Sequence, residues 1–319
     1  MINIGKIEDV EFYIEKALRR SKKKVKDKKF NIKNKREKSI KIEIYKITIF
    51  TQNINKDLNK IHKTFQEIFE FDEFYNELIK AIINIAHVKK ALVNLKWSEI
   101  KIKELENIYC KKLRKELNIN KINKYKKEFY GRTYSILKNL NKHLKNLDEV
   151  RKKLRKLPTI KTNIPTICIT GYPNVGKSTL LSKLTTSKPE IKPYAFTTKN
   201  LMVGYIGKKI QIIDTPGVFK NNFKEMNWIE KQSYLAIKYL SKMIIYVFDI
   251  TERCGFLIKD QIKLYYSLKN QFKKQKFIIY ISKSDIVSKK EIQLFKIKYN
   301  IHNEFINPKN LKKYISKII

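Results

Sequence analysis

The nine residues GYPNVGKST at 171–179, directly after the apolar run PTICIT at 165–170, constrain the architecture of this chain more than any other segment. A strand that ends in a glycine-rich turn and then opens a helix points several backbone N–H groups inward. They face the positive end of the helix dipole, where phosphate oxygens fit. Gly171 and Gly176 keep the turn clear of side chains, and Asn174, Val175 and Thr179 complete it. In the pattern G-x-x-x-x-G-K-[ST], Lys177 is placed to reach the β- and γ-phosphates of a triphosphate, and the Ser178 hydroxyl to ligate magnesium. A chance match in a chain of this length has a probability on the order of 1%. Because the loop needs a strand behind it and a helix ahead of it, it implies an α/β domain: a mostly parallel sheet with helices on both faces.

A second phosphate-side signature, DTPG at 214–217, ends the apolar run KIQIID. There the Asp214 carboxylate can reach the magnesium shell, and the Gly217 backbone N–H can meet the γ-phosphate. Between the two motifs lies PYAFTTK at 193–199, with adjacent hydroxyls on Thr197 and Thr198. A threonine that bonds magnesium only while the γ-phosphate is present makes a switch. Thr198 is favoured over Thr197, although spacing alone does not decide between them. Base identity falls to SKSD at 282–285, after the apolar run KFIIYI. Asp285 can accept from both the N1–H and the N2 amine of guanine, while the Lys283 stem packs along the base. Ser282 stands where the usual [NT]KxD pattern has Asn or Thr, which predicts a weaker hold on guanine. INPKN at 306–310 offers no equivalent of the Ser-Ala pair that presents an N–H to guanine O6. Val218 occupies the place of the water-orienting Gln of Ras-like enzymes, which implies either slow intrinsic hydrolysis or a water positioned by other groups. Asn174 either ligates potassium, a cation able to serve where an arginine finger would, or merely tightens the loop.

The chain changes character near residue 160. All seven Pro lie between Pro158 and Pro308, and before Pro158 only Gly5 and Gly131 occur. Turn-poor sequence with apolar residues every three to four positions predicts helices, here near 8–20, 42–69, 72–95, 97–117 and 124–156. Residues 1–160 are therefore expected to form an all-α, basic helical bundle, and 161–319 the P-loop GTPase domain. In the latter, strands are expected at 166–170, 201–206, 209–214, 243–250, 277–281 and weakly at 304–306. Helices are expected from 177 and at 228–241, 258–272 and 290–298.

There are 71 Lys and Arg against 30 Asp and Glu, and the net charge of +41 is shared between the two halves. Lys, Ile and Asn are abundant throughout, a genomic bias that accounts for part of this; the excess of base over acid points further, to a polyanion such as nucleic acid. The densest run, 21–41, is either a solvated or disordered segment or a nucleic-acid arm. Cys110, Cys168 and Cys254 are scattered and suit reduced thiols; His62, His87, His143 and His302 lack ligand spacing. No run reaches 18 apolar residues and no signal-peptide core is present, so an intracellular protein with no membrane partner is expected.

The run TGYPNVGKSTLLSKLTTSKPEIKPYAFTTK, then VGYI, IQIIDTPGV, MNWIEKQSYLAIKYL and DITERCGFLIKDQIKLY, resembles the Nog branch of the Obg-like GTPases. The last of these matches that family's D-x-[ST]-x-x-C-G-[YF] segment. Likeness extends into FYNELI at 74–79, FYGRTYSILKNL at 129–140 and VRKKLRKLPTI at 150–160. The resemblance implies a GTP-hydrolysing assembly factor of the large ribosomal subunit, with Lys177, Thr198 and Gly217 in catalysis and Ser178, Thr198 and Asp214 around magnesium. It also implies GTP/GDP as ligand, potassium as a further cation, and large-subunit rRNA of a pre-ribosomal particle as partner, with ribosomal proteins beside it. A monomer off the ribosome is expected, cytoplasmic or, in a eukaryote, nucleolar. Two alternatives stand beside this: an RNA-binding structural protein with negligible turnover, and a GTPase acting on mature ribosomes in translation. Tyr130 and Arg132 suit either an RNA contact or helix packing. Trp97 and Trp228 suit core or interface positions better than base-stacking ones.

Overall fold

The structure, a computed structural model, describes residues 4–186, 189–193, 200–207, 209–215, 223–302 and 304–319. The chain folds as two compact units, Met1–Phe71 with Ile79–Arg155, and Asp72–Leu78 with Lys156–Ile319.

The first unit is helical: α1 (Val10–Asp27), α2 (Lys35–Glu67), α4 (Ile85–Lys115), α5 (Ile119–Lys138) and α6 (Asn141–Leu154), while α3 (Glu73–Ile82) carries residues of both units. Side-chain caps set the starts of α1, α2 and α4, where Asp9, Asn34 and Asn84 each accept from backbone N–H groups of the first turn. The apolar stripe of 72–95 predicts one helix, yet Ile83 and Asn84 interrupt it, and α4 then runs on through the break expected at 96. The single helix expected over 124–156 is likewise two, α5 and α6, parted at Asn139 and Leu140. The basic run 21–41 is largely helical: α1 continues to Asp27, α2 begins at Lys35, and in the short connection Lys28 lies over the Tyr45 ring, 4.2 Å from its centroid. Tyr130 packs edge-on against Phe50 at 5.2 Å, and Phe50 meets Phe129 at 6.2 Å, so Tyr130 takes part in helix packing. Arg132 lies 5.9 Å from the Tyr109 ring centroid. Trp97 is 48% exposed, which removes it from the core.

The second unit is a seven-stranded sheet of order β2-β3-β4-β1-β5-β6-β7. Its strands are β1 (Thr166–Thr170), β2 (Glu190–Pro193), β3 (Asn200–Ile206), β4 (Ile210–Asp214), β5 (Ser241–Phe248), β6 (Lys276–Ile281) and β7 (Glu304–Phe305). β4, β1, β5, β6 and β7 pair in parallel, and β2 and β3 add an antiparallel edge. The helices are α7 (Lys177–Leu184), α8 (Trp228–Leu235) continued by a π turn (Ala236–Leu240), α9 (Ile258–Gln271), α10 (Lys289–Tyr299) and α11 (Pro308–Ile318). Alternation along the strands decides which helix covers which face. Ile167, Ile169, Ile245 and Val247 pack with Leu180, Leu181 and Leu184 of α7 and Leu311 and Ile315 of α11. On the other face, Tyr246 and Phe248 meet Tyr265 of α9, and Phe248 meets Phe295 of α10. β2 and α11 are additions to the expected elements. No helix among the described residues is long and apolar enough to cross a membrane.

Candidate nucleotide-binding site

The phosphate loop leaves β1 with three residues in the left-handed region: Gly171 at φ +145°, Asn174 at +62° and Gly176 at +99°. Gly171 is required sterically as well, since a Cβ there would stand 2.7 Å from the Val247 carbonyl oxygen. Val175 is buried in the sheet core and holds the loop down, whereas Asn174, Ser178 and Thr179 lie toward the surface. Lys177 opens α7 and folds back across the loop, its Nζ donating to the Tyr172 carbonyl at 2.8 Å.

Asp214 reaches the same place from β4. The β1–β4 register sets it opposite Ile169, and Thr215 locks that end by donating its N–H and its hydroxyl to the Ile169 carbonyl at 2.9 and 3.0 Å. The Ser178 hydroxyl then donates to Asp214 Oδ2 at 2.6 Å. Burial pushes the Asp214 carboxyl up, against the opposing pull of the Ser178 bond and the Lys177 charge. It pushes the Lys177 ammonium down, against the pull of Asp214. A half-buried cation, a carboxylate and a hydroxyl thus converge beside backbone N–H groups at a helix start. Ser178, which is exposed, and Asp214 form an all-oxygen donor pair, which fits magnesium completed by phosphate oxygens. Thr197, Thr198, Gly217 and Val218 lie outside the described residues.

The base motif comes close to this centre. Ser282 is buried, donates its N–H and its hydroxyl to the Phe248 carbonyl at 2.9 and 3.0 Å, and its Cβ stands 3.5 Å from where a Cβ on Gly176 would lie. Lys283, at φ +50°, sends its ammonium to Asp249 Oδ2 at 2.6 Å, while Asp285 stands exposed in the following 3₁₀ turn. INPKN opens α11: the Asn307 side chain caps the Lys309 N–H at 2.8 Å and Pro308 takes the first helical position. Sequence reasoning on the residues alone missed Asp249 and Gln261. Asp249 is the first residue of the D-x-[ST]-x-x-C-G-[YF] segment, a signal that carries family likeness but no role. The other end of that segment lays Phe256 on the loop residue Tyr172, ring centroids 4.4 Å apart.

Residues 4–161 match the family model described as "NOG1 N-terminal helical domain", and residues 166–283 the one described as "50S ribosome-binding GTPase". An uncharacterized protein of Methanocaldococcus jannaschii is 37% identical over 252 residues, which cover 79% of this chain and 71% of that one. Nucleolar GTP-binding protein 1 of Eremothecium gossypii is 34% identical over 77% of this chain and 39% of its own length. For the protein of that name in Saccharomyces cerevisiae the values are 35%, 73% and 36%. The chain therefore spans well under half the length of these two nucleolar relatives.

Proposed function

Since the chain belongs to the family that joins a NOG1 N-terminal helical domain to a P-loop GTPase domain, we propose that it is a GTP-binding and GTP-hydrolysing assembly factor of the large ribosomal subunit, held on pre-ribosomal rRNA in a nucleotide-dependent way. The observation that carries the nucleotide part is the meeting of Lys177, Ser178 and Asp214 beside the loop of Gly171 and Gly176. The loop's N–H groups and Lys177 bind the phosphates, and Ser178 and Asp214 hold magnesium. Magnesium, when bound, neutralises charge on the phosphate oxygens. Thr197 or Thr198 and Gly217 respond to the γ-phosphate, and Asp285 selects guanine.

The ribosomal part is supported by the description of the GTPase family, by the names of the nucleolar relatives and by a net charge of +41 that suits a polyanionic partner. Val218, apolar where a water-orienting side chain is usual, supports turnover that is slow until a ribosomal partner or a cation at Asn174 assists. The test is GTP turnover in potassium or sodium, with and without large-subunit rRNA, together with cosedimentation against precursor and mature particles. Stimulated turnover and retention on precursors are expected. Binding without turnover under every condition would favour a structural RNA-binding role, and retention only on mature ribosomes a role in translation.

A further inference from the structure

Asp249, the residue after β5, is fully buried on the base side of the site, and among the described residues its carboxylate bonds go to one loop and one lysine. Its Oδ1 accepts from the Thr251 N–H at 3.1 Å and from the Thr251 hydroxyl at 2.5 Å. Its Oδ2 accepts from the Cys254 N–H at 2.9 Å and from the Lys283 ammonium at 2.6 Å. The backbone on either side of that carboxylate is fixed in turn. Gln261, itself fully buried, accepts from the Asp249 N–H at 2.9 Å and donates to the Asp249 carbonyl at 3.0 Å. Burial drives the Asp249 carboxyl up, but the Lys283 ammonium and the Thr251 hydroxyl outweigh it and leave the group below its ordinary value, hence charged.

Lys283 sits at φ +50°, where a non-glycine backbone needs its surroundings to hold it. Two bonds from Ser282 to the Phe248 carbonyl fix the residue before it, and the Asp249 carboxylate fixes the far end of its side chain. With both ends held, the four-carbon stem is restricted to few rotamers. Buried ion pairs contribute little net stability, since desolvation offsets attraction, so the effect of this one is on geometry.

We propose that Asp249 is a positioning residue for guanine recognition: it draws the Lys283 ammonium to a fixed point so that the Lys283 stem forms a preset wall for the base. This rests on the functional reading above. A free lysine would lose rotamer freedom on nucleotide binding, whereas one already paired has lost it beforehand.

The test measures displacement of a fluorescent GDP by unlabelled GDP, ADP and inorganic tripolyphosphate. Wild type must first prefer GDP to ADP; if it does not, the guanine assignment itself fails. Asp249→Asn should then weaken GDP about tenfold to a hundredfold, the range for losing one hydrogen bond to a charged group, and leave tripolyphosphate unchanged. Lys283→Gln should give the same loss, and the double variant no more than either single. Lys283→Arg, whose fork fits a carboxylate, should recover most of the affinity. This arm decides even if Asp249→Asn fails to fold. The proposal is overturned if Asp249→Asn binds GDP like wild type, if it weakens GDP and tripolyphosphate alike, if the two losses multiply, or if Lys283→Arg is as weak as Lys283→Gln.

Discussion

The Ser178 hydroxyl, at the head of α7, donates to Asp214 Oδ2, at the end of β4, across 2.6 Å, joining two motifs 36 residues apart. Because burial raises the Asp214 carboxyl above 3.8, the folded protein keeps that proton longer than the unfolded chain does. Stability of the nucleotide-free protein should therefore fall as pH rises from 3.8 through the raised value. Thermal unfolding across that range checks this: Asp214→Asn should flatten the fall, and an unchanged profile would contradict the assignment. The same substitution should weaken magnesium-dependent GDP binding by about tenfold or more, by analogy with other lost bonds to charged groups.

Lys177 behaves in the opposite sense. Burial lowers its ammonium below 10.5, so between the lowered value and 10.5 the unfolded chain holds more protons and stability rises with pH. Lys177→Met should remove that rise, leave the melting temperature at neutral pH no lower than wild type, and abolish nucleotide binding. Retained binding, followed by calorimetry, would remove Lys177 from the phosphate site.

Gly204 is demanded by packing rather than by φ. A Cβ there would overlap Thr185 Cγ2 and lie 3.1 Å from Leu181 Cδ1, where β3 crosses the end of α7. Gly204→Ala should cost about 1–3 kcal/mol, the range for overpacking a filled site. Adding Thr185→Ser, which deletes the offending methyl, should restore part of it in denaturant titrations.

The Tyr75 hydroxyl pins the segment that leads into β1. It accepts from the Ile160 N–H at 2.8 Å and lies 2.9 Å from the Pro158 carbonyl and 3.0 Å from that of Ile160. Tyr75→Phe deprives that N–H of this partner and should destabilise the second unit by about 1–3 kcal/mol. Hydrogen exchange at Ile160 should accelerate while GDP affinity stays unchanged.

What the sequence makes legible follows from where its constraints lie. The loop of Gly171, Gly176 and Lys177 demands fixed local spacing, so β1 and α7 can be placed to the residue at their junction. Four-residue β2 is bounded by Pro189 and ends in Pro193, and its pairing with β3 has no local signature. The break between α3 and α4 is hidden because apolar residues continue through Ile82 and Ile83, and only the cap made by Asn84 marks it. For α11 a signal exists, Asn307 followed by Pro308, a capping residue and a proline at the first helical position, although sequence reasoning weighs the segment only for a base contact, which it does not offer. The role of Asp249 is out of reach because its partner Lys283 lies 34 residues on, and only the fold brings them together.

The proposed guanine selection by this chain rests on Asp285 and is decided by its substitution. Affinities of wild type and Asp285→Asn for GDP and xanthosine diphosphate, measured side by side, should invert: wild type prefers GDP, and the variant, whose amide can pair with the xanthine carbonyl, prefers xanthosine diphosphate. If Asp285→Asn keeps the wild-type preference, the base is read elsewhere and the assignment of 282–285 is wrong.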